Sequence, residues 1–256
     1  MAKLSNENQF FDFSDYGRGI ANFFLKFLVN TSITPIHVTL VFGLCGTLAI
    51  ISIFNSYYVV AAILLILKSI IDAMDGELAR LKKTPSYSGR YLDSVFDNIL
   101  NFFILFAIAI QVNAPWWVFL LTYFAMQLQG TLYNFYYVIL RTNSVGGDST
   151  SQIFENKVPV AFPYENQKVV NVLFFTYQVL YRPYDRIVYF LDYSASKCRT
   201  FPNWFMTFIS IYGLGFQLLM ISIFLFLGLI SWIIPFLIGY SVFFFLLIGI
   251  RKNWLR

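Results

Sequence analysis

Six apolar windows, each near the ~20 residues that a bilayer-spanning helix needs, set what this chain can fold into. They run at roughly 36–54, 57–79, 91–112, 115–140, 204–228 and 230–250. Hydrophobic residues make up 58% of the 256 positions and charged residues only 12%; a soluble domain is about one-quarter charged. The reading is a single all-α integral membrane domain over 1–256, with six transmembrane helices. Thr34 before Pro35 reads as an N-cap followed by a first-turn proline. Asn55-Ser56, Asn113-Ala114 and the region of Gly228 mark very short turns.

Charge orients the spans. Lys and Arg collect in the N-terminal segment, around Lys82 and Lys83, through 141–199, and at Arg251, Lys252 and Arg256. The short turns on the opposite side carry none, so both termini are expected in the cytoplasm. The net charge of +5 follows from that asymmetry, and no nucleic-acid partner is expected. Nothing near the N-terminus reads as a cleavable signal. Cys45 lies mid-span and Cys198 in a basic loop, so no disulfide is expected. Two segments look interfacial. Residues 16–31 are amphipathic and precede the first span. Residues 168–193 hold an apolar run too short to span, broken at Arg182-Pro183. A kinked seventh span is the alternative for the second, and it would carry the C-terminus outside, against the charge rule. Residues 142–167 read as a cytoplasmic loop.

Against this apolar background stands Asp72-x-x-Asp75-Gly76-x-x-Ala79-Arg80, eight residues, then Gly89-x-x-x-Asp93-x-x-x-Asp97. Asp72 and Asp75 share one face of the second span, and Asp93 and Asp97 one face of the third. Gly76 and Ala79 leave room beside the backbone. Any one intramembrane aspartate reads equally well as a helix–helix hydrogen-bond partner; four at matched spacing read as a site. Four anions in one small volume need counter-charge, and two divalent cations supply it. The single His37 excludes a histidine cluster, and oxygen-only ligands favour Mg²⁺ or Mn²⁺. Such a site suits phosphoryl chemistry, with Arg80 as a fixed fork for phosphate. Asp12, Asp15, Asp148, Asp185 and Asp192 read as solvated surface charges.

The eight fixed positions resemble, one for one, the signature of the CDP-alcohol phosphatidyltransferases. The resemblance implies attack of an alcohol on the β-phosphate of a CDP-linked lipid, usually CDP-diacylglycerol, with release of CMP, in phospholipid biosynthesis. It implies that Asp72, Asp75 and Asp93 hold the metals. Asp97 completes the metal site and acts as general base. Gly76 and Arg80 contact the CDP moiety, as does Ser86. The orientation of the spans puts the site at the cytoplasmic ends of the second and third, and a dimer is common in the family. One departure is the run Pro35-Ile36-His37-Val38-Thr39, which lacks the asparagine that many relatives carry there.

The acceptor is less legible. Lys68 and Arg141 are the candidates for acceptor contacts, and Lys68 reads equally as an ionic partner of Asp72, one turn away. Gln127, Gln129, Thr131, Tyr133 and Asn134 can line a polar pocket or bond between helices. Phosphatidylserine synthases usually follow the last aspartate with a Ser-Phe-Gly run; here Asn98-Ile99-Leu100 follows, which argues against serine. The rival from another class is a divalent-cation transporter with an aspartate-lined path. It accounts for the carboxylates but not for Gly76, Ala79 and Arg80 beside them.

Overall fold

The computed structural model describes residues 4, 8–143 and 154–255. Among them there are helices and no strands: α1 (Arg18–Leu28), α2 (Pro35–Phe54), α3 (Tyr58–Leu81), α4 (Tyr87–Gln111), α5 (Trp116–Asn143), α6 (Gln167–Leu191), α7 (Asn203–Ile209), α8 (Leu214–Phe226), α9 (Ile233–Tyr240) and α10 (Val242–Trp254). Asp148 and part of the 142–167 loop lie outside the described residues.

Local chemistry sets the helix ends. Thr34 caps α2, with Pro35 in the first turn. Its Oγ1 accepts from the His37 N–H, and His37 Nδ1 accepts from the Thr34 N–H (3.1 Å). The ring of His37 is therefore spent on the cap. The short turns between helices use the left-handed backbone that stops a helix: Ser56 at φ 61°, Asn113 at φ 52° and Gly228 at φ 71°.

α2 packs against both α3 and α4, α8 lies on α3, α6 on α4 and α5, and α1 on α3. Gly46 permits the close crossing of α2 and α4: a Cβ there would sit 2.7 Å from Leu100 Cδ1. A large core of Phe42, Ile53, Leu65, Ile104, Leu218, Ile221 and Leu237 fills the space between these helices. A second, around Tyr136, Ile139, Phe205, Tyr212 and Phe244, joins α5 to the C-terminal helices. In α1, Ala21 and Leu25 are buried against α3, and Phe23, Phe24 and Phe27 are exposed.

Pro35–Phe54, Tyr87–Gln111 and Ile230–Trp254 are long and apolar enough to cross a membrane, and the pair Asn203–Tyr212 and Leu214–Phe226, bent by 52°, makes a fourth such stretch. These apolar helices make the chain a membrane protein. α3 and α5 are as long, at 24 and 28 residues, but polar groups interrupt them: Lys68, Asp72 and Asp75 in α3, Gln127, Gln129 and Asn134 in α5.

Two expectations are corrected. The stretch 204–228 is not one straight helix: a 3₁₀ turn at Ser210–Tyr212 and Gly213 break it. The reason is a strap formed by the N-terminal segment. Ser14 lies across the break, accepting from the Gly215 N–H (3.2 Å), and Phe13 N–H donates to Ser210 Oγ (3.0 Å). A Cβ on Gly215 would fall 1.9 Å from the Ser14 carbonyl oxygen. Nor is 168–193 broken at Arg182-Pro183. α6 runs unbroken through Pro183. The carbonyl that proline leaves unpaired belongs to Val179, a residue 75% exposed.

Candidate active site

The antiparallel pair α3–α4 carries the site. The α3–α4 turn is pinned by Lys82, whose ammonium donates to the carbonyls of Thr31 (2.6 Å) and Ile33 (2.8 Å). Ser86 caps α4, its Oγ accepting from the Gly89 N–H (2.8 Å). The turn thus sets the register that brings Asp93 opposite Asp72 and Asp75. Oxygens of these three carboxylates lie within 4.8 Å of one another. Thr39 of α2 donates to Asp75 Oδ2 (2.7 Å), fixing that carboxylate from behind. One oxygen of Asp93 is buried with no hydrogen-bond partner among the described residues. Three converging oxygen donors, one of them orphaned, fit a hard divalent cation.

Asp97 is not in this group. The Lys68 ammonium donates to its Oδ1 at 2.5 Å. Lys68 is wholly buried. It pairs with Asp97 across the helix interface rather than with Asp72 on its own helix, and it does not line the cavity.

That cavity is about 850 Å³ and is lined by Asp72, Asp75, Gly76, Ala79, Arg80, Ser86, Gly89, Asp93 and Asp97. Arg80 bonds Glu77 (2.7 Å), and the guanidinium lies past Gly76. Ser86 also donates to Glu165 Oε1 (2.7 Å). On the far wall stand Gln127, Thr131, Tyr133, Asn134 and Arg141 of α5. Gln129 faces away, donating to Leu237 O and Ser241 Oγ. The lining therefore mixes carboxylates with amides, hydroxyls and the guanidinium groups of Arg80, Arg90 and Arg141, in a volume sized for a nucleotide with part of a second substrate.

Several contributors carry no signal in a one-dimensional reading. Asp12 and Asp15, expected as solvated charges, line the cavity, and Tyr133 donates to Asp12 Oδ2 (2.5 Å). Asp185 lines it too, and burial, with the Glu155 charge adding, raises its carboxyl to about 7. Asp192 is buried completely: it pairs with Arg251 and accepts from Tyr136 (2.7 Å). Two glutamates of the α5–α6 connection hold the start of α4. Glu155 takes a bidentate pair from Arg90 (2.6 and 2.7 Å) and a bond from the Tyr91 hydroxyl (2.5 Å). Glu165 accepts from the N–H groups of Ser88 (2.8 Å) and Tyr87 (3.2 Å) besides Ser86. Burial alone would raise Glu165; the Ser88 and Ser86 bonds outweigh it and hold its carboxyl below the ordinary value.

A family model for CDP-alcohol phosphatidyltransferases matches residues 32–240. Archaetidylinositol phosphate synthase of Pyrococcus horikoshii is 35% identical over 97 residues, which is 38% of this chain and 52% of that protein. A bifunctional IPC transferase and DIPP synthase of Thermococcus kodakarensis is 37% identical over 94 residues, 36% of this chain and 21% of that protein. Its counterpart in Aquifex aeolicus is 34% identical over 91 residues, 34% of this chain and 21% of that protein. The matched stretch thus spans about half the length of the first relative and about a fifth of the other two.

Proposed function

Since the chain belongs to the CDP-alcohol phosphatidyltransferase family, we propose that it transfers a phosphatidyl group from CDP-diacylglycerol to an alcohol, releasing CMP, with a divalent cation required. The observation that carries this reading is the convergence of Asp72, Asp75 and Asp93 beside Asp97 at the wall of one cavity. When bound, Mg²⁺ or Mn²⁺ on those carboxylates would neutralise charge on the diphosphate. The protein's own groups do the rest. Gly76 and Ala79 give the nucleotide access to the α3 backbone, and Arg80 and Ser86 orient its phosphates. Asp97 takes the proton from the acceptor hydroxyl. The hydroxyl oxygen bonds to the β-phosphorus, the bond from that phosphorus to the CMP oxygen breaks, and CMP leaves with the electron pair.

The acceptor proposed is a phosphorylated alcohol. Arg141 at the cavity wall suits its phosphate, and the Pyrococcus relative is an archaetidylinositol phosphate synthase. In the membrane, α2, α3, α4, α5, α7–α8 and α9–α10 are taken as the six crossings. α1 lies at the inner surface on its exposed phenylalanines, with α6 beside it, and both termini are in the cytoplasm. The test is the Asp97→Asn protein, which should bind CDP-diacylglycerol normally and release CMP about 10²–10⁴ times more slowly. Near-normal turnover would remove Asp97 as the base. A screen of glycerol 3-phosphate, inositol phosphate, inositol, serine, choline and ethanolamine then reads the acceptor; a preference for an unphosphorylated alcohol would refute the role of Arg141.

A further inference from the structure

The lining of the cavity changes character one turn farther from the α3–α4 turn. Asn101 follows Asp97 by four residues on α4, and Ser69 precedes Asp72 by three on α3, so each shares a helix face with its aspartate. Both line the cavity, as do Gln127 and Thr131 of α5 and Gln217 of α8. All five side chains are buried, and none of them is ionisable. Four helices thus meet at this end of the cavity with hydroxyls and amides.

Asn101 stands out among them. It is 5% exposed, and its side-chain carbonyl oxygen has no hydrogen-bond partner among the described residues. The amide of Gln217 is already engaged: its Nε2 donates to Gln129 Oε1 (2.9 Å) and to the Met126 carbonyl (3.2 Å). A buried carbonyl without a donor destabilises the protein that holds it, and a ligand that brings a donor recovers the loss. An ammonium would find no carboxylate among these five residues, and a buried cation without a partner is costly. A neutral hydroxyl carries no such penalty. We propose that Asn101 is a specificity residue that accepts a hydrogen bond from a non-reacting hydroxyl of the acceptor, so that the acceptor is a polyol. The proposal rests on the transfer reaction proposed above. One hydroxyl reacts beside Asp97, and a second on the same molecule donates to Asn101 Oδ1. The two levels are separated by about 6 Å along α4, a span that hydroxyls on one ring or short chain can cover. An acceptor without the second hydroxyl would leave the carbonyl unpaired, and a site of this kind discriminates strongly against such an analogue.

The test compares acceptors that share a phosphate and differ in spare hydroxyls: inositol phosphate, glycerol 3-phosphate and 2-hydroxyethyl phosphate, whose single hydroxyl must react. CMP release is measured with purified full-length protein. In the wild type, kcat/KM for the better of the two polyols should exceed that for 2-hydroxyethyl phosphate by about tenfold or more. Asn101→Leu keeps the volume and removes the carbonyl. It should lower kcat/KM for the polyols by about tenfold to a hundredfold and leave 2-hydroxyethyl phosphate within about twofold. KM for CDP-diacylglycerol should not move, and the thermal midpoint should not fall, because the lost oxygen had no partner in the protein. Asn101→Thr, which keeps an accepting oxygen, should recover part of the polyol preference. The proposal is overturned if the wild type uses 2-hydroxyethyl phosphate as well as the polyols, a comparison that needs no variant to fold. It is also overturned if Asn101→Leu changes all three acceptors alike or none of them. A wild type that releases no CMP with any alcohol would overturn the reaction instead. Calorimetry with inositol phosphate and glycerol 3-phosphate on the wild type and Asn101→Leu would then judge Asn101 separately: weaker binding of either polyol to the variant supports its role, and no binding or equal binding removes it.

Discussion

Thr39 fixes one oxygen of Asp75 at 2.7 Å and leaves the other for a ligand. Thr39→Val keeps the shape and removes the donor, so Mn²⁺ affinity should fall by about tenfold with the fold intact, as titration calorimetry would show. Asp185 offers a pH test. Its carboxyl is raised to about 7 from 3.8 by burial and then by Glu155. A raised carboxylate contributes stability that is full below its unfolded value and is lost as pH rises through 7. Its ionisation also adds negative charge to a cavity that must admit a diphosphate. KM for CDP-diacylglycerol should therefore climb above pH 7, and Asp185→Asn should flatten that rise in steady-state assays. Arg251→Met would strand the buried carboxylate of Asp192 and should cost about 3–5 kcal/mol, seen as a lowered thermal midpoint. The core aspartates of the site were legible because spacing alone puts them on facing helix sides. Asp192 was not, because its partner Arg251 is 59 residues away and nothing in the local sequence distinguishes a buried acid from a surface one.

The elements that complete the site are connections. The α5–α6 connection is bound to the start of α4 through Glu155 and Glu165, and Phe162 within it stacks on Tyr87 at 5.0 Å. Glu165→Ala removes the acceptor for Ser86, Tyr87 and Ser88. It should raise KM for the CDP-lipid more than it lowers kcat, and Glu165→Gln should recover part of the loss. Since the Glu165 carboxyl lies below its ordinary value, its contribution to docking is present above pH 4.5 and fades as pH falls through the folded value. Hydrogen exchange across 154–166 should rise accordingly in acid. The long helices were readable from hydropathy, and their caps from Thr34, Pro35 and Ser86. The break at Gly213 and the continuity through Pro183 were not. The first depends on an N-terminal strap some 200 positions earlier (197 for Phe13 and Ser210), and the second on Val179 lying at an exposed face. Each is a tertiary condition that overrides a local propensity.

At the scale of the molecule, two helices with an acidic inner edge are set in apolar packing that holds them antiparallel, while the N-terminal strap, α5, α6 and α8 wall off a cavity from the side. The proposed orientation puts that cavity at the cytoplasmic surface, where CDP is soluble and acyl chains stay in lipid. Reporter fusions at both termini should read cytoplasmic, and an external C-terminus would overturn the six-crossing scheme. The central claim is that the carboxylate cluster binds a divalent ion for transfer from a CDP-alcohol. It is tested most directly by CMP release from CDP-diacylglycerol and an acceptor alcohol, measured with purified protein before chelation, in EDTA, and after Mn²⁺ is restored. The account predicts CMP formed in step with a phosphodiester lipid, abolished by EDTA and recovered with Mn²⁺. Phosphodiester formation that continues unchanged in EDTA, or Mn²⁺ flux into liposomes with no CMP formed, would contradict it.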